Sequence, residues 1–188
     1  MDLLSLFSIL LIILLCVLVL MPMIGFIVAF FVSYTATGCE KLKPAGSPKG
    51  KALIVYEPGA SPLTKKAADN LGKVLQGRGY EADVAGIRSA AARDSAGYDV
   101  LLVGTPTYLG KPTPHVIKYL KSLSPANGRI VGLFPTGIRG LTPEGAMPKR
   151  IVDALVDPLQ QRSIDVKAIT FIGVGEFDYE QYVAQLLG

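Results

Sequence analysis

The stretch Tyr98-Asp-Val-Leu-Leu-Val-Gly104-Thr-Pro-Thr-Tyr108-Leu-Gly110-Lys-Pro112 decides the fold of this chain. Its first half is a short apolar run, the pattern of a strand buried on both faces. Its second half holds Gly104, Pro106, Gly110 and Pro112, which break any regular element and mark a loop. Pro114–Leu123 follows, with Val116, Ile117, Leu120 and Leu123 on one helical face. The unit is strand, loop, helix.

The same unit recurs on both sides. Lys51-Ala-Leu-Ile-Val-Tyr56 reads as a buried strand that ends at Pro58-Gly59. Thr64–Gln76 is helical, with Ala67, Ala68, Leu71, Val74 and Leu75 in register, and Gly77 and Gly79 stop it. Tyr80–Ala85 is a weaker strand. Arg129-Ile-Val-Gly-Leu-Phe134 and Val166–Gly173 are further strands, followed by helices over Pro148–Gln161 and Asp178–Leu187. Five strands alternating with helices imply an α/β, doubly wound parallel sheet. Ligands in such sheets bind beyond the carboxyl ends of the strands, at the point where the strand order reverses. The loops after strands one, three and four are therefore the ones that carry chemistry. No internal repeat is present.

Gly104-Thr105-Pro106-Thr107-Tyr108-Leu109-Gly110 directly after an Asp-Val-Leu-Leu-Val strand resembles the flavodoxin-like superfamily. The resemblance covers residues 51–188. It implies a flavodoxin-like five-stranded parallel sheet, FMN as cofactor, and Thr105, Pro106, Thr107, Tyr108 and Gly110 against the isoalloxazine, with Tyr108 stacked on it. Physically, the two glycines let backbone approach a flat ring, the prolines stiffen the loop, and Tyr108 offers a π face. The plain alternative is a strand-to-helix turn with a surface Tyr.

The loop after strand one is Tyr56-Glu57-Pro58-Gly59-Ala60-Ser61-Pro62-Leu63-Thr64. In the superfamily this loop wraps the FMN phosphate, which implies roles for Ser61, Leu63 and Thr64, with charge from Lys65 or Lys66. An anion at a helix N-terminus gains from free amides and the macrodipole. Pro62 and Leu63 depart from the usual Gly-Asn, and Pro62 has no amide to donate. A helix start with Pro in its first turn explains Ser61-Pro62 without a ligand. The loop after strand four, Pro135-Thr136-Gly137-Ile138-Arg139-Gly140, covers the other side of the flavin in the superfamily. Thr136 and Gly137 fit that role, and Arg139 is either a charge near the flavin or a solvated loop residue. His115 reads as a surface or capping side chain, with a flavin-facing role as the alternative.

Residues 1–36 carry one charge, Asp2, and the run from Leu3 to Tyr34 is almost wholly apolar. A helix needs about 20 apolar residues to cross a bilayer, and this run exceeds that. A cleaved signal peptide has a positive start, a shorter apolar centre and a small-residue cleavage site, and only Thr35-Ala36-Thr37-Gly38 fits. Ala36-Thr37-Gly38-Cys39 resembles a bacterial lipobox, the sequence at which a Cys is lipidated. A retained anchor is the preferred reading. Pro22 can kink it, and one crossing is preferred to a hairpin turning at Met21-Pro22-Met23. Lys41, Lys43, Lys49 and Lys51 follow the run against Asp2 before it, so the C-terminal domain is expected in the cytoplasm. The expected organisation is a transmembrane anchor over 1–36, a flexible linker over 37–50 and the domain over 51–188.

Composition narrows the function. The chain has 19 Lys+Arg against 15 Asp+Glu, too mild a balance to argue for nucleic acid as a partner. Both cysteines, Cys16 and Cys39, precede the domain, which leaves it without thiol chemistry or Cys-ligated metal. A lone His115 makes no zinc site. No general acid or base stands out, so an electron carrier is favoured over an enzyme with its own substrate. The partners expected are membrane lipid and membrane-associated redox proteins or quinone. A domain of the same fold that has lost FMN, and an FMN-dependent quinone or NAD(P)H reductase, are the alternatives.

Overall fold

The computed structural model describes residues 3–34, 36–125, 128–137 and 147–188. In chain order the elements are α1 (Leu3–Tyr34), β1 (Cys39–Leu42), β2 (Gly50–Tyr56), α2 (Leu63–Gly77), β3 (Tyr80–Gly86), α3 (Ala90–Arg93) and β4 (Val100–Tyr108). They continue with β5 (Lys111–Pro112), α4 (Pro114–Ser122), β6 (Ile130–Thr136), α5 (Lys149–Gln160), β7 (Ala168–Ile169) and α6 (Tyr179–Leu187). The sheet runs β1-β3-β2-β4-β6-β7, with β5 hairpinned onto β4. β3, β2, β4, β6 and β7 are mutually parallel, while β1 and β5 are antiparallel to their neighbours.

The parallel strands are buried on both faces because their side chains alternate into two separate cores. Leu53, Val55, Leu101, Val103 and Leu133 pack under α4 and α5, against Val116, Leu120, Ile151, Leu155 and Leu159. Ala52, Ile54, Val100, Leu102 and Phe134 pack under α2 and α6, against Ala68, Leu71, Leu75, Val183 and Leu186. The strand order reverses at β2, which lies between β3 and β4. The crevice between the carboxyl ends of β2 and β4 is thus the switch point where this class of sheet takes ligands.

The stretch read as a loop from Gly104 onward is strand as far as Tyr108, because Gly104, Thr105 and Pro106 stay paired with Phe134, Pro135 and Thr136 of β6. Two further differences from the sequence reading have physical causes. The strand expected over Val166–Gly173 narrows to Ala168–Ile169, paired to Gly132 and Leu133, with a single further bridge from Ile172 to Thr136. It forms one border of the sheet and tracks β6 through bonds such as Thr170 N to Leu133 O (3.0 Å) and Ile172 N to Pro135 O (2.9 Å). The segment read as a flexible linker is also ordered. Cys39–Leu42 pairs with Ala82–Ala85 of β3, and the Gly86 and Arg88 amides donate to the Gly38 and Ala36 carbonyls, both at 2.9 Å. Further on, the Gln76 side chain donates to Lys43 O (2.7 Å) and Lys49 N to Gly79 O (2.8 Å). Pairing covers an edge of β3 that would otherwise offer unpaired backbone groups. The Pro, Gly and Lys content that suggested a tether conceals the four residues that do this.

α1 is a continuous helix of 32 residues through Pro22, with no break at Met21-Pro22-Met23. At 1.5 Å per residue it is about 48 Å long, against about 30 Å of hydrocarbon in a bilayer. Its stretch Phe7–Val28 has none of its surface buried against the protein and is long and apolar enough to span a membrane. A helix apolar on all sides has no single face to set against a core.

The edge strand gives a direct test. Hydrogen exchange on the full chain in detergent should show slow exchange at the Gly86 and Arg88 amides and at those amides of Cys39–Leu42 that bond to β3. Exchange there at the rate of an unstructured segment would return this stretch to a free linker.

Candidate functional site

Three loops meet at the carboxyl edge of the sheet, after β2, β4 and β6. They are tied to one another by hydrogen bonds between polar side chains that the fold buries. Thr64, at the start of α2, is 1% exposed, and its hydroxyl lies 2.6 Å from that of Thr136 at the end of β6. The Thr136 carbonyl in turn accepts from the Thr107 hydroxyl at 3.0 Å. On the other side of the crevice, the Thr105 hydroxyl lies 3.2 Å from that of Thr113, which donates to the Glu57 carboxylate. His115 Nδ1 lies 2.8 Å from the other Glu57 oxygen. Across the top, the Ala60 amide donates to the Tyr108 hydroxyl at 2.8 Å.

The start of α2 is built to leave amides open. Its N-cap is Pro62, and no side chain caps the helix. The first-turn amides of a helix have no intrahelical partners. Ser61 and Pro62 are exposed just before them, with Leu63 half-buried. An anion set here would meet the positive end of a 15-residue helix. Lys65 does not face that position. It pairs with Asp69 at 2.8 Å and sits 5.9 Å from the centre of the Tyr56 ring. The hydrogen bond to Asp69 is the largest cause raising the Lys65 ammonium above its ordinary pKa. Burial is what pushes the Tyr56 phenol up, with Lys65 pulling it partly back. Lys66 stays exposed, beside an open cavity of about 760 Å³ shared by Leu63, Asn70 and the segment from Val174 to Tyr179.

The loop after β4 is a hairpin. Tyr108 pairs with Lys111, and the two residues between them, Leu109 at φ +50° and Gly110 at φ +69°, are both left-handed. Two consecutive positive φ angles are the requirement of a type I′ turn. Gly110 meets that requirement without strain, while Leu109 pays a steric cost for it. The Arg150 guanidinium holds the turn by donating to Leu109 O (3.3 Å). Gly104 serves a different end from the one read in the sequence. A Cβ there would fall 2.1 Å from the Phe134 ring, so its smallness answers core packing and not approach to a flat ligand.

The structure therefore brings Ser61, Leu63, Thr64, Thr105, Pro106, Thr107, Tyr108, Gly110, Thr136 and Gly137 to one edge. It does so with different duties. Tyr108 is half exposed, with its ring at the mouth of the crevice and its hydroxyl bonded across to Ala60. Thr64, Thr105 and Thr136 turn their hydroxyls inward, where they hold loops rather than face an outside ligand. Arg139, with Ile138 and Gly140, lies outside the described residues. The Glu57–Thr113–His115 cluster was missed as a unit. Its signal was available: a carboxylate immediately after an apolar strand has to find partners when the fold buries it to 3% exposure.

No family model matches this chain, and no curated protein matches it in sequence. Solved structures do. The Streptococcus pneumoniae TIGR4 flavodoxin superposes with a TM-score of 0.57 at 20% identity, over 73% of this chain and 97% of that one. The oxidised Flavodoxin 2 of Bacillus cereus gives 0.57 at 19% identity, over the same shares. The fold is flavodoxin-like. The rubredoxin oxygen:oxidoreductase of Desulfovibrio gigas superposes at 0.55 and 21% identity, over 75% of this chain. This chain spans about a third of that larger protein, 35% of its length.

The Glu57 cluster is open to a mutational test. Glu57→Ala leaves the Thr113 hydroxyl without its acceptor, and should destabilise the domain by about 1–3 kcal/mol. His115→Ala should cost less, because that side chain is 55% exposed. Urea unfolding of both variants and of the double variant should show a double cost smaller than the sum. Strict additivity would mean that Glu57 and His115 act independently.

Proposed function

We propose that this protein is a membrane-tethered, FMN-binding electron carrier. The observation that carries the reading is the convergence of three loops at the switch point of a flavodoxin-like sheet, with a helix start that no side chain caps beside an aromatic ring. The fit to FMN is specific in kind. The first-turn amides of α2 and the exposed Ser61 hydroxyl would hold the phosphate, and Tyr108 would cover one face of the ring system. Thr107 and Gly137 would line the opposite wall, and the buried threonines would keep the three loops at a fixed spacing. Bound FMN supplies the redox chemistry, and the protein supplies orientation and exclusion of water.

The tether adds a kinetic advantage. Anchoring by α1 raises the effective concentration of the domain near partners in the same membrane. The partners this suits are membrane-associated redox proteins or quinone, and the lysines after α1 favour the cytoplasmic face. A quinone or NAD(P)H reductase is the variant of this reading in which the carrier has its own substrate.

A second reading, a domain of this fold that has lost FMN, has a specific observation behind it. Tyr108 bonds the Ala60 amide, Pro62 offers none, and Thr64 directs its hydroxyl to Thr136. Each of these removes a donor from the phosphate loop.

Ligand binding separates the two. The purified full chain in detergent should bind FMN more tightly than riboflavin, because each charge-assisted hydrogen bond to phosphate is worth roughly 1.5–3 kcal/mol. Ser61→Ala should narrow that preference, and Tyr108→Ala should weaken both ligands by about tenfold or more if stacking is worth at least 1.4 kcal/mol. Equal binding of FMN and riboflavin by the unmutated protein would discard the phosphate site. No binding of either would leave the second reading.

Orientation has its own test. A reporter active only outside the cytoplasm, fused after Gly188, should be silent. A strong signal would place the domain on the other side and favour processing at Cys39.

A further inference from the structure

The path of the chain out of α1 bears on where the candidate site points. Only Thr35 lies between Tyr34, the last residue of α1, and Ala36. Ala36 is docked on the domain: it is 3% exposed, belongs to the core under α4 and α5, and accepts from the Arg88 amide at 2.9 Å. Arg88 and Gly86 are at the carboxyl end of β3. β2, β4 and β6 run parallel to β3, so their carboxyl ends lie on that same edge. The end of α1 therefore sits within two residues, about 7 Å of chain, of the edge that bears the three loops. Had β1 run parallel to β3, the anchor would have left from the opposite edge.

The exposed apolar side chains are on that edge too. Among the described residues, the large hydrophobic side chains exposed outside α1 are Tyr108, Leu109 and Val174. Leu109 is 90% exposed at the tip of the hairpin after β4. Val174 is 70% exposed in the loop that leaves the border strand just past Ile172, whose partner is Thr136 at the carboxyl end of β6. β3 and β4 are separated by β2, a lateral distance of about 10 Å at 4.8 Å per strand. A residue as apolar as Leu in a left-handed turn position is unfavourable in water on both counts. Lys66 and Lys111 are exposed along the same edge, positioned for anionic headgroups.

We infer that the carboxyl edge of the sheet, with Leu109 and Val174 foremost, rests on the surface of the bilayer that holds α1. The inference rests on the reading of α1 as a retained anchor. The occupant of this surface is lipid: the anchor leaves from this edge, and a chain of two residues keeps the edge beside the membrane. The mouth of the candidate site then opens at the headgroup region and not toward bulk water.

The chain has no Trp, so a single introduced Trp reports on its own surroundings. Leu109→Trp and Val174→Trp place it on two separate loops of the carboxyl edge. Ser124→Trp places it past the far end of α4, on the amino edge. Each full-length variant is reconstituted into vesicles of phosphatidylcholine with phosphatidylglycerol, with and without dibrominated acyl chains, and washed in alkaline carbonate. The expected result is retention of all three proteins, blue-shifted emission from Leu109→Trp and Val174→Trp, and loss of most of that emission with brominated lipid. Ser124→Trp should keep its emission. Retained protein with both edge reporters unquenched, or with Ser124→Trp quenched equally, overturns the membrane-facing edge and leaves the anchor standing. Release of the protein by carbonate overturns both. Using two reporters on different loops guards against one substitution disturbing its own hairpin.

Discussion

The parallel register of β2 on β4 is the constraint on which the rest depends. Ala52 pairs with Val100, and the match continues to Tyr56 with Gly104. Both strands alternate side chains between two filled cores, so a slip of one residue would send each set to the wrong face. The register sets the end of β2, at Tyr56, against Gly104, while β4 runs on beside β6 to Tyr108. Glu57 thus leaves the sheet beside Thr105, with the Glu57 amide bonded to Gly104 O at 3.0 Å. Loop spacing, the reach of Tyr108 to Ala60 and the approach of Thr113 to Glu57 all follow from that register.

Polar groups that the fold cannot expose hold the edge together. Glu57, Thr64, Thr105 and Thr136 are each at most 3% exposed. Buried donors and acceptors are costly when unpaired, and each side chain has a partner: Glu57 and Thr64 reach into other loops, to Thr113 and Thr136, while the Thr105 hydroxyl meets Thr113 within its own. These bonds fix the loops, while Tyr108 and the first turn of α2 remain in contact with solvent.

The alternating apolar runs made the parallel sheet legible, since a strand with no polar face has to be covered twice. Val100–Tyr108 and its loop also carried the family resemblance. What stayed hidden was long-range or antiparallel. Cys39-Glu-Lys-Leu42 has no hydrophobic alternation and is ordered by the open edge of β3, a property of another part of the chain. The inward turn of Thr64 toward Thr136 depends on residues 72 positions apart, beyond the reach of local pattern. Gly104 looked like a ligand-approach glycine because the loop motif contains one there. Phe134, across two strands' pairing, supplies the stronger reason. The candidate positions were legible, and the direction of each hydroxyl was not.

The docking of Ala36 also bears on processing. The peptide bond before Cys39 is followed at once by a strand residue paired to Ala85, and Gly38 O and Ala36 O are acceptors for domain amides. A peptidase needs its substrate extended and free in the active-site cleft. Once β1 has joined β3, this segment is no longer free. Any cut at the small residues has to precede folding of the domain. A cut before Cys39 would remove the Gly38 and Ala36 carbonyls that accept from domain amides. The order of events, folding before or after contact with a processing enzyme, would then decide whether the chain keeps its helix.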